Sequence, residues 1–272
     1  LATPWDPSAY GTVLTLAVEA GTVYAGGTFS GMGGVRRNNL AAIDVTIGAA
    51  TPWDPDANNE VLALGLAGGA VYAGGSFTSV GGQTRNRIAA IDVATGLATA
   101  WNPSASGEVS ALAVNGITLY AGGNFTSVGG QVRSNIAALD VTTGLATPWN
   151  PNSNGQIFAL EPGQGTVYVG GLFSSIGGQT RSSIAAIDSG TGLATAWNAN
   201  ANGTIRALDL SCNTLYAAGF FTTIGGQARS RIAALDVSSG VATPWNPNAS
   251  GPVFAMGLRD GRIYLGGIFF SV

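Results

Sequence analysis

Short apolar runs alternate with glycine- and asparagine-rich turns along the whole chain, and no segment carries a useful helical period. The third copy of a repeating unit shows the pattern. Val109-Ser-Ala-Leu-Ala-Val114 is apolar and is followed by Asn115-Gly116, a hairpin signal. Thr118 to Phe125 comes next, then a loop from Thr126 to Asn135 that contains Gly129-Gly130-Gln131. Ile136-Ala-Ala-Leu-Asp-Val141 leads into a turn at Thr142-Thr-Gly144, and Leu145-Ala-Thr-Pro-Trp149 closes the unit. The pattern predicts four short strands per unit, here called a, b, c and d in chain order. Their nearly continuous apolar character predicts sheets covered on both faces. Their richness in Ala and Gly lets neighbouring sheets approach closely.

The unit repeats without insertion or deletion. Trp5, Trp53, Trp101, Trp149, Trp197 and Trp245 are spaced 48 residues apart, as are Tyr24, Tyr72, Tyr120, Tyr168, Tyr216 and Tyr264. Four-stranded units of about 40–50 residues, repeated four to eight times, are the signature of a β-propeller. The expectation is an all-β, six-bladed propeller of four-stranded antiparallel blades, one domain over residues 1–272. Only five c strands are present: Leu40–Asp44, Ile88–Asp92, Ile136–Asp140, Ile184–Asp188 and Ile232–Asp236. The sixth blade would take its d strand from Leu1–Trp5 and lack a c strand, which favours reading the sequence as a piece of a longer chain. A strand donated by another molecule and a tolerated gap are the alternatives.

The Tyr-x-Gly-Gly pair of strand b, followed by Asp and Trp, resembles a kelch blade. Ala-x-Asp-x-x-Thr-Gly followed by Trp resembles the tryptophan-docking blades of quinoprotein-type propellers. Gly74-Gly-Ser-Phe-Thr-Ser-Val-Gly-Gly-Gln-Thr-Arg-Asn-Arg-Ile-Ala89 resembles the delta-60 family of bacterial propeller repeats, and this likeness runs through the whole chain. The resemblance implies an extracellular or cell-surface location in a large bacterial protein. It implies a location more than an activity.

Composition narrows the function. Hydrophobic residues reach 46%, enough for a core, and charged residues only 9%, against about a quarter in ordinary domains. No apolar run approaches the roughly 20 residues that span a bilayer, so membrane insertion is not expected. The formal net charge is −3, and all 11 cationic side chains are arginine. No basic stripe for nucleic acid is present. The lone Cys212 excludes a disulfide framework and reads as an incidental thiol in a turn. Without histidine there is no Ser-His-Asp triad, and without lysine no Schiff base or Walker-type phosphate loop.

Two loop families carry the candidate chemistry. In the d–a loops, oxygen-bearing side chains fall at alternate positions. Asp54, Asp56, Asn58 and Glu60 are the candidate calcium ligands, because calcium loops place oxygens this way and need negative charge. The competing reading is a set of Asx turns. In the b–c loops, Gln83 and Arg85, Gln131 and Arg133, Gln179 and Arg181, and Gln227 and Arg229 are candidate contacts for a glycan. The competing reading is that each arginine is tied to a carboxylate or to loop carbonyls within the lattice. The c-strand aspartates Asp44, Asp92, Asp140, Asp188 and Asp236 are expected to hold their own turns, at the end of the blade away from the long loops. The tryptophans are expected to pack between blades. The functional expectation is a non-enzymatic extracellular structural or interaction module of a bacterial surface protein or appendage, with other surface proteins or copies of itself as partners. The alternative is a lectin-like propeller that binds glycans on the long-loop face.

Overall fold

The computed structural model describes residues 5–272, and the expected strand at Leu1–Trp5 lies, but for Trp5, outside the described residues. The described chain is all β, with no helix. Five three-stranded antiparallel sheets share one order, with strand b between a and c. The b strands are Thr22–Phe29, Ala70–Gly75, Thr118–Asn124, Thr166–Leu172 and Thr214–Gly219. The preceding a strands are Gly11–Glu19, Val61–Ala67, Glu108–Asn115, Gln156–Pro162 and Ile205–Ser211. The five c strands have the bounds read from the sequence. A sixth unit has only strand a (Val253–Arg259) and strand b (Arg262–Gly267).

The chain divides into two compact units. One holds Leu1–Ala121, Phe125–Val132 and Ala138–Thr147; the other holds Gly122–Asn124, Arg133–Ala137 and Pro148–Val272. Within the first, Tyr24, Leu40 and Ala42 of the first repeat are buried with Trp53, Val61 and Leu64 of the second. Within the second, Tyr168, Ile184 and Ala186 of the fourth repeat are buried with Trp197, Ile205 and Leu215 of the fifth. The pairing register is constant. Tyr24 faces Ala42, Tyr168 faces Ala186, and Tyr216 faces Ala234. Each c strand is buried on both faces, as its continuous apolar run predicted.

Two features differ from the expected four-strand unit. The d segment joins its sheet at a single bridge: Ile43–Ala50, Ile91–Ala98, Leu139–Ala146, Ile187–Ala194 and Leu235–Ala242. It ends early because the tryptophan three residues on already belongs to the next repeat. Each b–c loop also folds into a small hairpin, such as Ser79–Val80 with Gln83–Thr84. Its turn is Gly81-Gly82, with φ of 59° and 73°, a pair of positive values that suits glycine and matches the strand twist.

The Gly-Gly pair of strand b marks two kinds of close approach. A Cβ on Gly170 would stand 2.5 Å from Cγ2 of Ile205 on the next strand a. A Cβ on Gly171 would stand 2.2 Å from the main-chain oxygen of Gln156 on its own strand a. A side chain can shift but a paired backbone cannot, and the fifth repeat indeed carries Ala218 at the first position and Gly219 at the second. Gly170→Ala is therefore expected to cost about 1–3 kcal/mol, the usual range for overpacking, and Gly171→Ala distinctly more. Urea unfolding of the two variants checks the order; equal losses would contradict it.

Candidate functional site

The long-loop region is built by two interlocking devices. The first is an asparagine or serine clasp. Asn58 Oδ1 accepts the N–H groups of Thr78 and Ser79, at 2.8 and 3.0 Å, and its Nδ2 donates to Thr78 Oγ1. Asn154 and Asn202 make the same contacts with Ser174 and Ser175 and with Thr222 and Thr223. The second device is the arginine. Arg85 donates from one guanidinium nitrogen to the Thr84 carbonyl and from the other to the Thr99 carbonyl. Arg181 repeats this on Thr180 and Thr195, and Arg229 on Ala228 and Thr243. The Thr99, Thr195 and Thr243 carbonyls belong to the d segments at the outer edge of the sheet. The guanidinium caps an edge that would otherwise present a bare acceptor. Nε of Arg85, Arg181 and Arg229 is buried without a hydrogen-bond partner, a desolvation cost accepted for that cap.

The candidate glycan contacts thus separate. Arg85, Arg181 and Arg229 are at most half-exposed and engage main-chain carbonyls of their own repeat, while Gln83, Gln131, Gln179 and Gln227 are exposed on the small hairpins. Arg133 also takes part in contacts. Within the first unit, Gln131 lines an open cavity of about 520 Å³ with Asn102, Ser104, Val132 and Leu145.

The candidate calcium ligands are engaged by different partners. Asp54 accepts from Arg37 at 3.3 Å, and Asp56 accepts from the Asn38 side chain at 2.6 Å. Asp54 and Asp56 line a shallow pocket of about 200 Å³ together with Arg36, Arg37 and Asn38. Asn58 is committed to Thr78 and Ser79, and the Glu60 carbonyl accepts from Ser76. No cluster of three or more His, Cys, Asp or Glu side chains that could hold a metal is found among the described residues. Two guanidinium groups beside the paired aspartates oppose a cation there.

The c-strand aspartates hold their turns. Asp92 Oδ1 accepts from the N–H groups of Ala94 and Thr95 and from Thr95 Oγ1. Hydrogen bonds of this kind hold the five carboxyls below their usual range, Asp236 at about 2 through Ser238 and Ser239. Their location corrects the expected one. The turn glycine Gly96 lies against Trp53 and Asp54, so the turns meet the start of the d–a loops rather than pointing away from them. The tryptophans are core elements. Trp53, Trp101, Trp149 and Trp197 are 4–6% exposed. Each indole N–H donates to an Asp main-chain carbonyl, at 2.9 Å for Trp53 and Trp149.

A pair of acids escaped the sequence reading. On strand a, the position facing the conserved-spacing tyrosine holds Ala17, Gly65, Ala113 and Gly257 in four repeats, but Glu161 and Asp209 in the fourth and fifth. Comparing the six copies at that one position would have exposed the departure. Glu161 faces Tyr168 and Asp209 faces Tyr216 across their hairpins. Burial, and secondarily the negative charge of Asp209, push the Glu161 carboxyl up to about 7. Burial also raises Asp209, against hydrogen bonds from the main chain of Leu258 and Leu210.

Two predictions follow from these side chains. Arg181→Ala removes both carbonyl caps from a buried site and should cost about 1–3 kcal/mol in urea unfolding, with Arg181→Lys failing to restore it because one ammonium cannot span both acceptors. Glu161 binds its proton more tightly in the folded state. Its favourable contribution is complete below about 4.5 and is lost as pH rises through about 7. Glu161→Gln should therefore flatten the decline in stability between pH 5 and 8, a difference on the order of 2–3 kcal/mol at one pKa unit per about 1.4 kcal/mol. Denaturant melts at the two pH values read it; an unchanged slope would refute the assignment.

Comparison with known proteins bears on the fold. Residues 69–89 match the family model described as a domain of unknown function (DUF5122) beta-propeller. No curated protein matches the chain. Among solved structures, the computationally designed Ika8 protein is similar with a TM-score of 0.56 at 14% identity, over 96% of this chain and 95% of that one. A chain of a mitotic checkpoint complex is similar with a TM-score of 0.65 at 17% identity, over 93% of this chain and 71% of that one. At these identities the likeness concerns the fold alone. The chain is an all-β repeat protein of antiparallel sheets at 48-residue spacing, with a short segment similar to a β-propeller family.

Proposed function

We propose that residues 1–272 form one six-bladed β-propeller that serves as a non-enzymatic structural or interaction module at a bacterial cell surface. The observation that carries this reading is the repeated use of loop side chains on the chain's own backbone. Asn58, Asn154 and Asn202 clasp loops, Arg85, Arg181 and Arg229 cap sheet edges, and Asp92 and its equivalents hold turns. Groups arranged this way stiffen a scaffold. The six-fold recurrence of Trp and Tyr supports the blade number, and the likeness of the repeat motif to surface-protein propellers supports the location. An apolar side chain recurs on the c–d turns, with Leu97, Leu145, Leu193 and Val241 52–62% exposed. These exposed apolar side chains are available, within each unit, to other surface proteins or further copies of the chain.

One observation favours a second reading, a lectin: the cavity beside Gln131, which gathers Asn102 and Ser104 with the apolar Leu145. A glycan array separates the two. The structural reading expects no saturable retention, together with crosslinking of the chain to extracellular proteins or to itself on intact cells. Saturable glycan binding that Gln131→Ala abolishes would establish the lectin instead.

A further inference from the structure

Within the first unit, an open cavity of about 420 Å³ is lined by residues of the first two repeats, Tyr24 and Trp53 among them. That volume is in the range of ligand pockets, about 300–1,000 Å³. Ala42, Pro52 and Trp53 give it apolar walls, and no described residue that lines it is charged. Three observations define what fits.

The first is an unmade hydrogen bond. In the next copy, Tyr72 donates its hydroxyl to the Val141 carbonyl at 3.2 Å. Tyr24 and Val93 are the counterparts, 48 residues earlier, and both line the cavity. Tyr24 is only 6% exposed, yet its hydroxyl has no hydrogen-bond partner among the described residues. The Val93 carbonyl accepts no hydrogen bond among them either. A largely buried hydroxyl without a partner costs free energy that a bound group would recover.

The second is the arrangement of these two groups. Their counterparts are bonded to each other, so the donor and the acceptor lie side by side. A ligand that meets both must carry an acceptor next to a donor. A primary carboxamide does so with its oxygen and its NH₂. The third is charge. Burial, and secondarily the Glu19 carboxylate, raise the Tyr24 hydroxyl, so it stays a neutral donor. The same carboxylate repels an anion, and no cationic side chain among the described lining residues would hold one.

We propose that this cavity is a socket for the carboxamide of a glutamine or asparagine side chain presented by a partner protein. The carboxamide oxygen accepts from the Tyr24 hydroxyl, and its NH₂ donates to the Val93 carbonyl. The methylene groups of the incoming side chain lie against Ala42 and Pro52. A glutamate of the same shape brings a charge that Glu19 opposes and no donor for Val93, and a leucine leaves both groups unmet. This inference rests on the interaction-module reading, for which it names what the partner presents. Crosslinking on cells tests that reading, and the titration below tests the socket by itself.

The test titrates the full chain with acetyl-Ala-Gln-Ala-N-methylamide and follows amide and indole resonances by NMR. Saturable one-to-one shifts are expected at Tyr24, the Trp53 indole and residues 93–95, with the corresponding Glu and Leu peptides about tenfold weaker. Tyr24→Phe should weaken binding about five- to tenfold, the loss of one hydrogen bond, and leave the urea midpoint unchanged, because that hydroxyl holds no described protein group. Tyr168→Phe removes another hydroxyl without a described partner, in the second unit and in the field of Asp236, and should leave binding unchanged. Ala94→Trp, on an exposed turn that lines the cavity, should fill it and abolish binding. Equal binding by the Glu or Leu peptide, or by a Ser peptide that offers only a hydroxyl, would overturn the proposal. So would the absence of saturable binding, or shifts confined to other residues.

Discussion

An indole N–H that reaches a main-chain carbonyl 39 residues downstream is the contact on which the repeat depends. Through it one side chain performs three tasks. The ring seats edge-on against the tyrosine of the preceding sheet, 5.3 Å away for Tyr24–Trp53 and 5.1 Å for Tyr72–Trp101. The N–H ties the linking segment to the end of the next c strand. The main chain around the tryptophan passes from the d segment of one sheet to the long loop of the next. An edge-on aromatic pair adds about 0.5–1.5 kcal/mol beyond its area, and a buried hydrogen bond about 1 kcal/mol. Trp53, Trp101 and Trp197 each make both halves of this contact, and each ties its sheet to the one before it within one compact unit.

That anchor explains the economy of the remaining polar groups. A short d segment leaves a carbonyl at the sheet edge, and the arginine of the b–c hairpin covers it. The hairpin is in turn held by the clasp from the d–a loop. The c–d turn packs beside Trp53 and Asp54, so the aspartate that caps it lies close to the tryptophan docked at its carbonyl. Low overall charge follows from this plan. Many ionic side chains are spent on main-chain groups, as Arg85 and Asp92 are, and the Arg259–Asp260 ion pair lies on exposed side chains.

Much of this was legible in residue order. Strands a, b and c were marked by apolar runs between Asn-Gly, Gly-Gly and Thr-Gly turns, and their bounds are close to those read. The d segment was overread as a strand, because Leu-Ala-Thr-Ala-Trp is apolar enough to pair but is pulled away by its own tryptophan. The Ser-Val and Gln-Thr pairs around Gly81-Gly82 are too short to signal a hairpin by periodicity. For the candidate sites, the types of residue were visible but their allegiance was not. Arg85 and Arg181 reach carbonyls 14 residues away, and alternate positions in Asp54-Pro-Asp56-Ala-Asn58 send their oxygens to different partners.

By itself the sequence determined the period, the strand order and which side chains are buried, since these follow from local propensity and from the two-faced burial that continuous apolar runs require. Only the tertiary structure decided which polar groups remain available to a partner. That outcome depends on distances between segments far apart in the chain. The arginines and asparagines are drawn inward by unpaired main-chain groups, and Glu161 is partly buried within the field of Asp209, one repeat on, at a position that the other four repeats fill with alanine or glycine.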